Sequence, residues 1–413
     1  MSNAFCITNY IDGLLDTASI AAHEARLIEQ VAEDFTSNQM PYPLFDTDAA
    51  KGLTELNHWV ASTKQKASKL MVLGTGGSSL GGQALVAFMQ GQADVEFIAN
   101  IDPATLNHCV EAAKRDDVHW LIISKSGGTL ETITQAVVVL DALGEARASE
   151  AATIITSDKQ NPLHDLAAHY GVPCMPHPDL GGRFSLFSNV ALLPALWAGL
   201  DCAALLKGAT DYYAELANAP TTHAALKGAA LQAVLMKNYP MQIIMPYCDR
   251  LETLASWFKQ LWAESLGKEG HGSTPVRALG TVDQHSQLQL YLEGPADKFF
   301  TLICVDNAGD GPRINAPLEG QPWDMLNGHY VGDVMQASQA GTIESLRHHE
   351  KLLRVVDIPK LDAAALGALA MHFMLETVLT AKLLGINAYD QPAVEDGKAR
   401  TRAHLKNPKA EVA

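Results

Sequence analysis

The sequence predicts an α/β protein of two three-layer αβα sandwich domains with mainly parallel sheets, carrying helical segments at its N- and C-terminal ends. Three observations carry that reading. Short apolar runs recur, each ending in small or polar residues: KLMVLGTGGSS, HWLIISKSGG and ATIITSDKQ, then MQIIMPYCDR, FFTLICVDN and LLRVVDIPK. Longer stretches with helical spacing, such as TITQAVVVLDALGEA and ALQAVLMKNY, lie between most of them. A helix-rich middle, LLPALWAGLDCAALLKGATDYYAELA, parts the first three runs from the last three. Continuous apolar runs, as opposed to alternating ones, mark strands covered on both faces, which is the condition of a parallel sheet between helices.

Taken in chain order, residues 1–44 are expected to be a flanking helical segment, 45–195 a first sandwich and 225–390 a second. Residues 391–413 form a closing helical segment. In open α/β sheets ligands bind beyond the carboxyl ends of the strands. The stretches GTGGSSLGG (residues 74–82) and SKSGGTLET (residues 124–132) are therefore expected on one functional rim.

The composition narrows the partners. The chain has 413 residues, 47% of them hydrophobic, enough for a large core, and a formal net charge of −16. That charge argues against a nucleic-acid partner, since phosphate-backbone binding needs a basic surface. The opening MSNAFCITNYIDGLLD has neither a basic start nor a sustained apolar stretch, so it does not read as a signal peptide. No run is read as approaching the roughly 18 apolar residues of a membrane helix, so no membrane partner is expected. The cysteines (Cys6, Cys109, Cys174, Cys202, Cys248 and Cys304) are scattered without a CxxC pair and are expected to be buried thiols of a cytoplasmic protein.

A helix N-terminus offers unsatisfied backbone N–H groups and partial positive charge, so it holds anions without needing a cationic side chain. Ser124, Lys125, Ser126 and Thr129 surround Gly127 and Gly128 where a strand turns into a helix, and Ser78 follows Gly76 and Gly77 in the earlier turn. A capping role alone would explain one such turn; two in one domain favour a phosphate cradle. The dinucleotide pattern G-x-G-x-x-G/A fails at Ser79, although Asp102 stands where a ribose-binding acid could, and no G-x-x-x-x-G-K-[ST] occurs. A phosphorylated small molecule suits the turns better than NAD or ATP.

Four further stretches could carry chemistry. DLGGRFSLFSNV places Arg183 directly after Gly181 and Gly182, and WAESLGKEG places Glu264 in a helix whose apolar face favours partial burial. GTVDQHSQLQLYLEG contains His285, and YDQPAVEDGKARTR contains Gln391, Glu395 and Lys398. Neither a Ser-His-Asp order nor metal-ligand spacing is compelling, and no metal is expected.

With these stretches in view, the chain resembles the glucose-6-phosphate isomerase family. DLGGRFSLFSNV looks like one family signature and INAYDQPAVEDGK like the other, with GTGGSSLGG, SKSGGTLET, ESLGK and GTVDQHS in the family's order. The resemblance implies paired sugar-isomerase sandwich domains, usually in a homodimer, acting without a cofactor in glycolysis and gluconeogenesis. It implies interconversion of glucose 6-phosphate and fructose 6-phosphate through a cis-enediol or enediolate. Ser78, Ser124, Ser126 and Thr129 would hold the phosphate, with Gly77, Lys125 and Gly182 also at the substrate. Glu264 would be the proton-transfer base, Arg183 would stabilise the intermediate, His285 and Lys398 would assist ring opening, and Gln391 would contact the sugar. In the family the equivalent histidine comes from the neighbouring subunit. Leu266 replaces a usual asparagine and Ala393 a usual glycine. A broader isomerase also accepting mannose 6-phosphate, and a non-catalytic sugar-phosphate sensor, are the alternatives; the sensor would leave Glu264, His285 and Lys398 without a task.

Overall fold

The computed structural model describes residues 4–11, 13–38, 42, 49–91, 94–315, 320 and 322–406. The expected boundary at residue 45, and residues 407–413 of the closing segment, lie outside them. The strands are β1 (Cys6–Tyr10), β2 (Lys69–Leu73), β3 (Asp94–Ile98), β4 (Val118–Ile123) and β5 (Ala152–Thr156), then β6 (Cys174–Pro176), β7 (Met241–Pro246), β8 (Thr274–Arg277), β9 (Lys298–Val305) and β10 (Leu352–Ile358).

They form two five-stranded sheets, ordered β3-β2-β4-β5-β6 and β1-β10-β9-β7-β8. The first is parallel throughout. The second is parallel except that β1 runs antiparallel along the edge of β10. The N-terminal segment thus supplies a strand before its expected helix, Thr17–Ser37. All six apolar runs singled out in the sequence are strands. The four others lie at sheet edges, where burial is thinner and the apolar pattern fades.

Successive side chains alternate between the two faces of each sheet, and both faces are covered. In the first, Leu70, Val72, Leu121 and Ile123 pack with Val190, Leu193 and Trp197. Their neighbours Met71, Leu73, Trp120 and Ile122 pack on the other side with Ala136, Val139 and Leu140. In the second, Ile243, Met245, Phe300 and Leu302 face Tyr291 and Leu346, while Ile244, Ile303 and Val356 face the large core. That core includes the Ala363–Leu384 helix, which is long and apolar enough to cross a membrane but is mostly buried within the fold. The expectation that no such run exists is therefore corrected: the helix is apolar over most of its surface because protein surrounds it, and its buried His372 and Glu376 pair with each other. Cys6 and Cys174 are exposed, unlike the expected buried thiols, because both sit on edge strands.

The first sheet positions the site. Its strand order reverses between β2 and β4, which is where a crevice opens in a doubly wound sheet. Leu73 pairs with Ile122 and Ile123 with Ile155, so the two glycine-rich turns leave the sheet almost level.

Candidate active site

Beyond that reversal lies a cleft of about 1620 Å³, lined by the residues of both turns, the Gly181–Arg183 stretch, Glu264 and the C-terminal segment. The turn after β4 is built around Gly127, whose φ is +58° and whose added Cβ would lie 1.7 Å from Asn161 Oδ1. No side chain fits there. Asn161 caps the Pro162–Tyr170 helix by accepting from Leu163 N, and its Nδ2 donates to Thr156 Oγ1 at 3.0 Å. Thr156 Oγ1 in turn donates to Ser124 O at 2.8 Å, so a buried polar strut fixes the turn from beneath.

Three hydroxyls gather on this turn. Ser124 Oγ donates to Thr129 Oγ1 at 3.3 Å, Ser126 Oγ lies 3.5 Å from the same oxygen, and Gly128 N donates to Ser126 Oγ. Thr129 precedes the Leu130–Leu143 helix but makes no side-chain cap bond. The hydroxyls are therefore turned toward one another at a helix N-terminus, an arrangement suited to an anion. Lys125 reaches Asp179 at 2.7 Å, and that contact holds the Asp179 carboxyl below its ordinary range.

The other two glycine stretches exist because they touch. A Cβ on Gly77 would lie 2.2 Å from the Gly182 carbonyl carbon. Ser185 Oγ sits within hydrogen-bond reach of both Gly77 O (3.1 Å) and Gly182 O (2.7 Å), clamping the two loops together. Ser78 ends the short 3₁₀ turn Gly76–Ser78 on the cleft wall.

This contact delivers Arg183, 1% exposed, to Glu264 of the Glu252–Leu266 helix. All five guanidinium N–H groups are used. Nε donates to Ser265 Oγ (2.8 Å); Nη1 donates to Glu264 Oε2 (3.1 Å) and Gln391 Oε1 (2.7 Å); Nη2 donates to Ala388 O (2.6 Å) and Asp390 O (3.0 Å). Burial lowers the Arg183 pKa, while Glu264 and Asp390 oppose that by favouring the cation. Glu264 keeps 29% of its side chain exposed to the cleft, and its other oxygen accepts from Gln260 Nε2 at 3.0 Å. Lys268 pairs with Asp390 at 2.7 Å and also donates to Asn387 O, tying down the segment that carries Gln391.

The cleft thus unites eleven of the residues expected from sequence: Gly77, Ser78, Ser124, Lys125, Ser126, Thr129, Gly182, Arg183, Glu264, Gln391 and Lys398. His285 is not among them. It stands exposed on the short Val282–Ser286 helix, away from the cleft lining. Sequence reasoning missed Gln260, Ser265, Asn161 and Lys268, which orient the others. Only Ser265 and Lys268, inside ESLGK, lay in a quoted motif. Asp102, a possible ribose ligand by position alone, instead caps the Pro103–Ala112 helix through Ala104 N and Thr105 N.

Residues 50–412 match the family model described as phosphoglucose isomerase. The chain belongs to the phosphoglucose isomerase family. A glucose-6-phosphate isomerase of Rubrobacter xylanophilus is 37% identical over 362 residues, 83% of this chain and 83% of its own. A probable glucose-6-phosphate isomerase of Haloquadratum walsbyi is 34% identical over 405 residues, 96% of this chain and 92% of its own. The solved structure of a hypothetical protein from Thermus thermophilus superposes with a TM-score of 0.85 at 30% identity, over 94% of this chain and 97% of that one. Membership gives the six ordered motifs a common origin, and the cleft is where all but the His285 motif converge.

Proposed function

We propose that the cleft interconverts glucose 6-phosphate and fructose 6-phosphate through an enediol or enediolate, the step that glycolysis and gluconeogenesis share. One observation carries the reading: a carboxylate, Glu264, is aimed into the same cleft as the hydroxyl-lined turn and is held against a buried arginine. The turn Ser124–Thr129, with Ser78, takes the phosphate and so fixes the far end of the sugar. Gly77 and Gly182 let the backbone come close. Ring opening breaks the bond between the anomeric carbon and the ring oxygen; that oxygen gains a proton and the anomeric hydroxyl loses one. Lys398 and His285 share this exchange. Glu264 then takes the proton from the carbon beside the aldehyde, and the carbonyl oxygen gains negative charge. The hydroxyl on that neighbouring carbon passes its proton to this oxygen and becomes the new carbonyl, while the same acid returns its proton to the former aldehyde carbon.

Arg183 supports the second step by its fixed charge. Its five bonds set its position before substrate arrives, so the developing oxyanion meets a dipole and charge that need no reorganisation. Gln391, held by Arg183, presents its amide to the sugar hydroxyls. Glu264→Gln keeps the shape and removes the base: turnover should fall by roughly 10²–10⁴ while inorganic phosphate still inhibits at its normal concentration. Near-normal turnover would remove Glu264 from this role.

The exposed position of His285 supports a homodimer in which it enters the cleft of a second copy. Mixing Glu264→Gln with His285→Ala, each inactive alone, tests this. Exchange of subunits should restore roughly a quarter of normal activity, because each mixed dimer holds one intact site. No restoration after verified exchange places His285 within its own chain's site, and a His285→Ala variant that is active alone places it outside catalysis.

A further inference from the structure

The cleft is short of positive charge for a dianion. Its lining carries six carboxylates (Glu55, Glu131, Asp158, Asp179, Glu264 and Glu395) against four cations. Three of those cations are already engaged: Lys125 by Asp179, Arg183 by Glu264, and Lys398 by Glu395 at 2.7 Å. A sugar phosphate brings about −1.5 to −2 charges near neutral pH, so hydroxyls and a helix terminus would hold it in a negative setting.

A further cation waits at the rim. Arg402, on the Val394–Lys406 helix, donates from Nη2 to Gly128 O at 3.2 Å, one residue from the Thr129 hydroxyl. Among the described residues it makes no other side-chain hydrogen bond, so its remaining N–H groups are open. It lies one turn beyond Lys398 on the same helix face, as residues four apart do. The helix has no buried residue, so packing does not dictate an arginine there.

We infer that Arg402 is a phosphate ligand of this enzyme: its guanidinium exchanges the Gly128 carbonyl for phosphate oxygens once a dianion occupies the Ser124–Thr129 turn. This rests on the phosphate assignment of that turn. The guanidinium fork suits phosphate oxygens better than a lone carbonyl. Because Lys398 shares the helix, the same contact keeps the ring-opening amine over the sugar.

The test uses the full chain with inorganic phosphate and fructose 6-phosphate. Arg402→Met should weaken competitive inhibition by inorganic phosphate about tenfold and raise KM by a similar factor, with the loss in kcat/KM lying mainly in KM. Arg402→Lys should recover part of it. Arg400→Met removes equal charge from the same helix, where Arg400 pairs with Asp396 at 2.8 Å, and should move the inhibition constant less than about twofold. Two results overturn the inference. In one, Arg402→Met leaves phosphate inhibition unchanged while Ser124→Ala weakens it, in which case the turn keeps its role. In the other, Arg400→Met matches Arg402→Met, which makes the effect one of general charge. If neither Ser124→Ala nor Arg402→Met changes phosphate inhibition, the phosphate turn falls together with Arg402.

Discussion

Arg183 shows how much one side chain can be asked to do. A buried guanidinium is tolerated only when its N–H groups and charge are all answered, and here the partners come from the Glu252–Leu266 helix and from residues 388–391. Arg183→Lys keeps the charge but offers three donors in place of a planar fork. At least two of the five acceptors, Ser265 Oγ, Glu264 Oε2, Gln391 Oε1, Ala388 O and Asp390 O, would be left without their partner. Chemical denaturation should show a loss on the order of 3 kcal/mol, and kcat/KM should fall by more than about tenfold as Gln391 loosens. Unchanged stability would mean that the bonds reform around lysine. The sequence advertised Arg183 and Glu264, since an arginine after two glycines and an acid on an apolar helix are both unusual. It did not advertise Ser265, whose role is set by a contact 82 residues away. Hydroxyl and amide side chains are common everywhere, and only the fold says which of them face a charge.

The cleft depends on elements meeting closely, above all the paired glycine loops. Gly77→Ala would push a methyl group to 2.2 Å from the Gly182 carbonyl carbon, a backbone atom that cannot rotate away. The loops would separate, carrying Arg183 from Glu264. The variant should lose activity by more than about a hundredfold even though the Arg183 and Glu264 side chains are unaltered, since misplacement by about 1 Å costs that much. Comparison with Gly341→Ala, where an added Cβ meets nothing within 4 Å, should show little effect. At this scale the central strands were legible because β4 and β9 are buried at every position and so read as unbroken apolar runs. β1, β3, β6 and β8 were not. β6 has three residues, β8 contains Pro275, and β1 alternates on an antiparallel edge within a stretch read as helical. An edge strand with one partner needs less apolar surface, so its pattern weakens where the fold asks less of it.

At the scale of the whole molecule, pH-dependent stability follows from histidines enclosed by the two sandwiches. Burial pulls His119 and His223 down to about 4, with the Lys66 charge adding to the effect at His119, and it lowers His177 and His372 as well. The contacts agree: His119 Nε2 lies 3.0 Å from Thr153 Oγ1, and His223 Nε2 lies 3.1 Å from Tyr212 O. His372 is enclosed by Tyr212, Glu376 and Arg354, with its Nδ1 2.8 Å from the Tyr212 hydroxyl. A group whose folded pKa lies below its unfolded 6.5 binds fewer protons in the folded state between about 4 and 6.5. Stability therefore rises with pH across that window and is lost as pH falls through it. His119 and His223 together should remove on the order of 4 kcal/mol between about pH 7 and pH 5. Glu376, held down to about 2 by Arg354 and His372 against its own burial, extends the loss further into acid. Denaturant midpoints measured from neutral pH down to about pH 5 should decline steadily, and His119→Gln, which can still bond Thr153, should flatten the decline by about one proton's share. A flat profile over that range would mean that these imidazoles are protonated as readily inside the fold as outside it. The sheets would then be far wetter around them than their packing allows.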